Sequence, residues 1–370
     1  VKIGIDGRAL LAERTGIGVY TEQIANRLSE LPGLEVAVYV PRPLGGRNGL
    51  SPGIRVHEDR HRFGTIWLQT RLPWLLARDE CDVFLGALTI VPSRCRIRTV
   101  SVVHDLTPLT HPEWHRRKTV VGFLPWIEKT IGRSDLLLAV SKATADDIES
   151  RFPEARGRLR VVENGVDEKV YLPAADDASR RSIRDRYSSG RRFILYLGTL
   201  EPRKNLLRLV AACERLWRDR RSRPDLLLAG GVGWKSAALL DRIARSPFRD
   251  KIHHVGYVSS ALGPELYRTA EVFCYPSLAE GFGLPVAEAM ACGAPVVISN
   301  AAALVETAAG AALIAAADDD AALADALRRA LEEPELRASL IARGRERAFQ
   351  LSWSRSAAST AAVLAELSGG

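Results

Sequence analysis

Glu280 and Glu288 frame the segment Glu280-Gly281-Phe282-Gly283-Leu284-Pro285-Val286-Ala287-Glu288. Gly281 and Gly283 have no Cβ, so a ligand can approach their backbone amides closely. Pro285 suits the first turn of a helix, where a missing N–H costs nothing, and the apolar run from Val286 to Ala291 continues that helix. One acid then sits on a loop ahead of a helix N-terminus and the other within its first turns. Such a terminus favours an anion, phosphate above all. Two carboxylates beside it can accept hydrogen bonds from hydroxyls on either side. A diphosphate with hydroxyls at both ends is a nucleotide sugar. The plainer alternative is a capped core helix with two surface acids.

A second group of chemically apt residues is Glu201-Pro202-Arg203-Lys204-Asn205, which follows the apolar run Phe193 to Leu197 and precedes a helical pattern. Arg203 and Lys204, at a strand's carboxyl end, can offset charge on a departing diphosphate. A solvated basic turn is the alternative, and the neighbouring Gly198 favours the functional reading. His104 and Asp105 end the run Thr99 to Val103, where open α/β sheets carry their ligands. Gly16-Ile17-Gly18 forms a glycine turn between the first strand and first helix, without the third glycine of a dinucleotide fingerprint. Gly230-Gly231-Val232-Gly233-Trp234-Lys235-Ser236 lacks the glycine directly before lysine that a P-loop needs, so it reads as a strand-end turn. Asp318-Asp319-Asp320 precedes an alanine-rich helix and fits its cap better than a metal site.

These groups must be positioned by elements that the hydropathy pattern supplies. Short apolar runs alternate with amphipathic segments along all 370 residues. Val1–Ile5, Val36–Val40, Val83–Leu85, Thr99–Val103, Leu136–Val140 and Leu159–Val162 read as strands. A second series reads the same way: Phe193–Leu197, Leu226–Ala229, Ile252–Val255, Val272–Tyr275 and Pro295–Ile298. Continuous apolar runs fit parallel strands covered on both faces, and their alternation with helices predicts an α/β fold of two doubly wound, Rossmann-like parallel-sheet domains. The predicted division is 1–172, a passage at 173–190, a second domain at 191–350 and a final helical segment at 351–370. Facing domains of this kind leave a cleft between their sheet edges.

Net charge of +8 and a sequence pI near 9.4 suggest an anionic partner. The basic residues are dispersed, with no basic arm interleaved with aromatics, so nucleic acid is not expected. Five scattered cysteines show no metal-ligand spacing and fit free thiols in a reducing compartment. Val1 to Asp6 reads as a strand rather than a secretory signal, and no run is apolar for long enough to span a bilayer. The expectation is a cytoplasmic protein, with the inner face of a membrane open to it. The mixed basic and aromatic segment Trp114 to Arg133 is the candidate for contact with an anionic membrane, against the commoner core helix with a basic outer face.

The segment from Glu280 to Glu288 resembles the signature of the retaining glycosyltransferases of family 4, which have the GT-B fold of two facing Rossmann-like domains. The resemblance extends over nearly the whole chain, through Asp6-Gly7-Arg8, Thr15-Gly16-Ile17-Gly18-Val19-Tyr20, Val103-His104-Asp105-Leu106, Val140-Ser141-Lys142, Glu163-Asn164-Gly165-Val166-Asp167 and Leu197-Gly198-Thr199-Leu200-Glu201-Pro202-Arg203-Lys204-Asn205. It implies transfer of a sugar from a nucleotide diphosphate donor to an acceptor hydroxyl, with no metal and no cofactor. It assigns the donor diphosphate to Arg203 and Lys204, the sugar hydroxyls to Glu280 and the ribose to Glu288. His104, Gly16 and Gly18 come near the donor sugar and phosphates; Gly198, Thr199, Phe282, Gly283 and Leu284 line the donor site. The Glu-Pro-Arg-Lys-Asn form points first to GDP-mannose, with UDP-linked sugars open, in polysaccharide or glycolipid assembly, and a lipid-linked acceptor is compatible with it. The final segment of such chains crosses back onto the first domain. A nucleotide-sugar 2-epimerase of the same fold and a non-catalytic nucleotide-binding scaffold are the alternatives.

Overall fold

A computed structural model describes residues 1–11, 16–45, 49–173, 176–219 and 223–368. The chain forms two compact units. The first comprises Val1–Pro112, Arg117–Gly165 and Trp353–Gly370; the second comprises Glu113–Arg116 and Val166–Ser352.

The first unit is built on β1 (Lys2–Asp6), β2 (Glu35–Val40), β3 (Arg55–Glu58), β4 (Val83–Gly86), β5 (Arg98–Val103), β6 (Leu136–Ala139) and β7 (Leu159–Val161). They form one sheet in the order β3-β2-β1-β4-β5-β6-β7, and every recorded pairing is parallel. The second unit contains β8 (Phe193–Leu197), β9 (Asp225–Ala229), β10 (Ile252–Gly256), β11 (Val272–Tyr275), β12 (Val296–Ser299) and β13 (Leu313–Ala315), in the parallel order β10-β9-β8-β11-β12-β13. The central strands are predominantly apolar, as burial on both faces favours: β4, β6, β9, β11 and β12 are buried along their whole length. These are the two doubly wound parallel domains of the GT-B architecture.

Two strands escape the hydropathy reading. β3 is an edge strand, Arg-Val-His-Glu, with no fully buried residue. β13 is three residues long inside an alanine-rich stretch. Both lack the continuous apolar run by which the others are recognised. The stretch 173–190, read from the sequence as an interdomain passage, carries a charged helical pattern. It holds the helix Asp177–Ser188, part of the second unit, anchored by Arg184 to Glu271 at 3.0 Å. This helix buries only Ser188 fully, so its charged face reads as a passage. The chain leaves the first unit after Gly165 and returns at Trp353. There the helix Trp353–Ser368 buries Trp353, Leu364 and Thr360, and packs on the helix Gly16–Ser29.

Where the order of each sheet reverses, loops converge on the carboxyl edge. In the second unit this point lies between β8 and β11, and the loops after β8 and β9 touch backbone to backbone. The Gly198 amide donates to the Ala229 carbonyl at 2.8 Å, and the Leu200 amide to the Gly231 carbonyl at 2.9 Å. A Cβ on Gly230 would lie 2.0 Å from the Gly198 carbonyl oxygen, and Gly230 has φ +145°. Gly230→Ala should therefore cost roughly 2–4 kcal/mol. Gly231, with open space around it, should accept Ala within about 0.5 kcal/mol. Urea unfolding of the two variants checks the contrast; equal stabilities would contradict this packing.

Candidate active site

The turn after β8 is locked before any ligand arrives. Asn205 adopts the left-handed region, φ +58°, which asparagine tolerates better than most residues. Its amide side chain donates to the carbonyls of Pro276 and Ala317 at 3.2 and 2.7 Å. The Leu278 amide donates to the Arg203 carbonyl at 2.8 Å. The turn carrying Arg203 and Lys204 is thus tied to the loop after β11, which carries Glu280.

The side chains complete the join. Lys204 Nζ donates to Glu280 Oε1 and to the Tyr275 hydroxyl, both at 2.6 Å. Arg203 Nη1 donates to Glu280 Oε2 at 2.6 Å and to the Ala279 carbonyl at 2.8 Å, while Nη2 reaches Glu201 at 3.1 Å. Lys204 is 7% exposed and the Glu280 side chain 9%. Burial by itself would raise the Glu280 pKa, but Arg203 and then Lys204 outweigh it and hold the carboxyl at about 2. Burial, and then Arg203, lower the Lys204 pKa below the ordinary lysine value against the pull of Glu280 and Glu201. Two cations and two carboxylates therefore sit nearly dry at one strand edge, each charge paired.

The Glu280 loop then turns into the helix Leu284–Ala291. Gly283 is its N-cap residue at φ +99°, and a Cβ there would lie 2.5 Å from Leu304 Cδ2. Pro285 occupies the first turn, as the segment predicts. The Phe282 carbonyl accepts from the Thr307 hydroxyl at 2.5 Å, and the Phe282 side chain is buried. Glu288 lies about 6 Å further along the axis than Leu284. Its Oε2 accepts from the buried Tyr267 hydroxyl at 2.9 Å. On the other side of the switch, the Thr199 carbonyl accepts from the Tyr196 hydroxyl at 2.9 Å, and the Tyr196 ring stacks on Tyr275 at 5.8 Å.

Among the sequence-derived residues, Arg203, Lys204 and Glu280 make one cluster, and Gly198 and Thr199 stand at its strand edge. His104, Gly16 and Gly18 belong to the first unit. Gly16 opens the helix Gly16–Ser29, and Gly18 is buried within it. They do not form the turn expected between strand and helix: the helix starts at the glycines. Tyr20 of that helix meets the His104 ring edge-on at 5.0 Å. His104 Nε2 faces the Ala87 carbonyl at 2.8 Å, so the neutral ring carries its proton there and presents Nδ1 as an acceptor. Burial lowers the His104 pKa, against the Ala87 contact and Asp105, which favours that neutral form. Asp105 accepts from the Thr107 amide and hydroxyl at 2.9 and 2.5 Å and organises its own loop. Asp319 caps the helix Asp320–Glu332 through the amides of Ala321 and Ala322, and Asp320 pairs with Arg208 and Arg215. Sequence reasoning gave Glu201 no role and missed Tyr196, Tyr267 and Tyr275. For two of them a signal exists, since Tyr196 and Tyr275 interrupt otherwise apolar strands near the carboxyl edge.

A family model described as glycosyl transferases group 1 matches residues 179–347, and one described as Glycosyltransferase Family 4 matches residues 14–170. The MMP alpha-(1->4)-mannosyltransferase of Mycolicibacterium hassiacum is 34% identical over 417 residues, spanning 96% of this chain and 97% of that protein. The chain is a family 4 glycosyltransferase. The O-antigen chain mannosyltransferase B of Escherichia coli is 31% identical to this glycosyltransferase over 283 residues, 76% of the chain and 74% of the relative. The serotype-specific mannosyltransferase WbdA of Escherichia coli is 32% identical over 216 residues, 56% of the chain but only 26% of that longer protein. Among solved structures, sucrose-phosphate synthase from Thermosynechococcus elongatus superposes with a TM-score of 0.78 at 22% identity, covering 99% of this chain and 98% of that one. That likeness concerns the fold alone.

The glycosyltransferase's charge cluster makes its stability depend on pH with a definite sign. The folded Glu280 pKa of about 2 lies below the ordinary 4.5. The ionised carboxylate therefore stabilises the fold fully above about pH 4.5, and that contribution fades as pH falls towards 2. Glu280→Gln removes this titration. The stability difference between wild type and Glu280→Gln, about 3 kcal/mol at neutral pH, should shrink between about pH 5 and pH 3. Urea midpoints across that range test it; a difference independent of pH would contradict the charge assignment.

Proposed function

We propose that this glycosyltransferase moves mannose from GDP-mannose to an acceptor hydroxyl with retention of anomeric configuration and without a metal ion. The observation that carries the reading is the ionised Glu280 carboxylate held between Arg203 and Lys204 at 2.6 Å on each side. The names of the relatives supply the sugar: all three are mannosyltransferases.

In this proposal the diphosphate of the donor meets Arg203 and Lys204, whose positions Glu280 fixes beforehand. The remaining lone pairs of Glu280 accept from the sugar hydroxyls. Glu288, steadied by Tyr267, accepts from the ribose. Gly198, Thr199, Phe282, Gly283 and Leu284 supply backbone and close walls for the donor. The acceptor oxygen attacks the anomeric carbon on the face that the nucleotide leaves. The bond from that carbon to the phosphate oxygen breaks, and the departing diphosphate takes the acceptor's proton. Arg203 and Lys204 offset the growing charge, which is where fixed cations lower a barrier most. The acceptor belongs to polysaccharide or glycolipid assembly.

The test is a panel of GDP- and UDP-linked sugars incubated with and without simple mannoside acceptors. GDP-mannose should be consumed fastest, GDP should appear in step with product, and proton NMR should show an α-linked product from the α-linked donor. Excess EDTA should leave the rate within about twofold, because side chains rather than a cation meet the diphosphate. Preference for a UDP-sugar, an inverted product, or a loss of activity in EDTA restored by Mg²⁺ or Mn²⁺ would each overturn its part of the proposal. Interconversion of free donors with no acceptor consumed would mark an epimerase instead.

A further inference from the structure

Tyr275 ends β11, beside the point where the second sheet reverses its order. It is 2% exposed, and its hydroxyl oxygen lies 2.6 Å from Lys204 Nζ. An ammonium can only donate, so the tyrosine oxygen is the acceptor in that bond and its own proton points elsewhere. Among the described residues no group accepts that proton, since Lys204 is the one hydrogen-bond partner of the Tyr275 hydroxyl. The other tyrosines of the cluster differ. Tyr196 donates to the Thr199 carbonyl and Tyr267 to Glu288, each at 2.9 Å. Buried hydroxyls ordinarily find an acceptor, and the hydroxyl of Tyr275 is left with a proton to give.

The ring cannot easily turn to place that proton elsewhere. It stacks on Tyr196 and on Phe273, with centres 5.8 Å apart in each case. Burial, and then Glu280, raise the Tyr275 pKa, so the hydroxyl keeps its proton. Lys204 spends one N–H on Glu280 and one on Tyr275, which leaves a third. The third N–H and the tyrosine O–H are therefore two donors on atoms 2.6 Å apart. Such a pair suits two oxygens of one phosphate. The ammonium also polarises the hydroxyl that accepts from it, which strengthens the O–H as a donor. An anion gains more from such a donor than a neutral sugar hydroxyl does.

We propose that Tyr275 binds the donor directly, its hydroxyl donating a hydrogen bond to a non-bridging oxygen of the phosphate that carries the sugar. The proton stays on the tyrosine throughout, and the bond strengthens as charge grows on the departing diphosphate. The inference rests on the reading of Arg203 and Lys204 as the diphosphate ligands and adds to them a neutral third donor.

Calorimetry with GDP, GMP and UDP tests it on the whole chain, as wild type, as Tyr275→Phe and as Tyr275→3-fluorotyrosine. Tyr275→Phe keeps the stacked ring and loses the hydroxyl. It should weaken GDP by about tenfold or more, leave GMP within about twofold, and lower kcat at saturating donor. Fluorine makes a phenol a stronger donor and a weaker acceptor. A tyrosine that donates to the phosphate should therefore hold GDP more tightly when fluorinated, and one that only steadies Lys204 should hold it less tightly. Should Tyr275→Phe misfold, the fluorinated chain decides by this sign alone. Equal GDP affinity and kcat in wild type and Tyr275→Phe would overturn the inference and leave the diphosphate reading standing. So would an equal loss for GDP and GMP, or weaker GDP binding by the fluorinated chain. A wild type that binds neither GDP nor UDP would remove the diphosphate reading and the inference with it.

Discussion

One buried carboxylate sets the arrangement of the second unit. Glu280 would not stay ionised at a nearly dry strand edge without its two cations, and Arg203 and Lys204 would not stay there without it. Removing one member leaves a buried charge unpaired, which costs far more than the pair contributes net. The cluster therefore behaves as a unit. It needs the turn after β8 and the loop after β11 at one fixed separation, and those strands are neighbours because the sheet order reverses between them.

The surrounding features follow from holding that separation. Asn205 ties its turn to the loop after β11 through the Pro276 carbonyl and to the segment after β13 through the Ala317 carbonyl, and Tyr275 accepts the second hydrogen bond of Lys204. Tyr196 stacks behind Tyr275 and pins the Thr199 carbonyl. Glycines at 198, 230 and 233 let the backbones after β8 and β9 meet where side chains would collide. The helix that begins after Gly283 then presents its first turn next to the cluster in sequence, with Glu288 fixed one turn later by Tyr267. In the proposed reaction a donor diphosphate would meet charges already in place, so little reorganisation would remain to be done on binding.

Much of this was legible in the chain. The aliphatic runs identify eleven of the thirteen strands because central parallel strands leave no polar face to confuse the pattern. β3 and β13 were not legible, because an exposed edge strand needs no apolar run. The helix Asp177–Ser188 looked like a passage because it is highly charged and buries only Ser188 fully. At the site, spacing exposed Glu280, Glu288, Arg203 and Lys204. The resemblance, not the spacing, assigns them to sugar, ribose and diphosphate; the structure joins Arg203, Lys204 and Glu280 into one network. The tyrosines behind that network left only a faint trace, Tyr196 and Tyr275 interrupting apolar runs, since a tyrosine in a strand is ordinarily a core residue with its hydroxyl satisfied elsewhere.

The account's central claim is that Arg203 and Lys204 are held in place for a diphosphate. Its most direct test compares the dissociation constants of GDP and GMP by calorimetry for wild type and Lys204→Met. One lost charge-assisted bond, about 1.5–3 kcal/mol, should weaken GDP by about 10- to 100-fold while GMP changes little. Equal affinities of wild type and variant for GDP, or an equal loss for GDP and GMP, would contradict it.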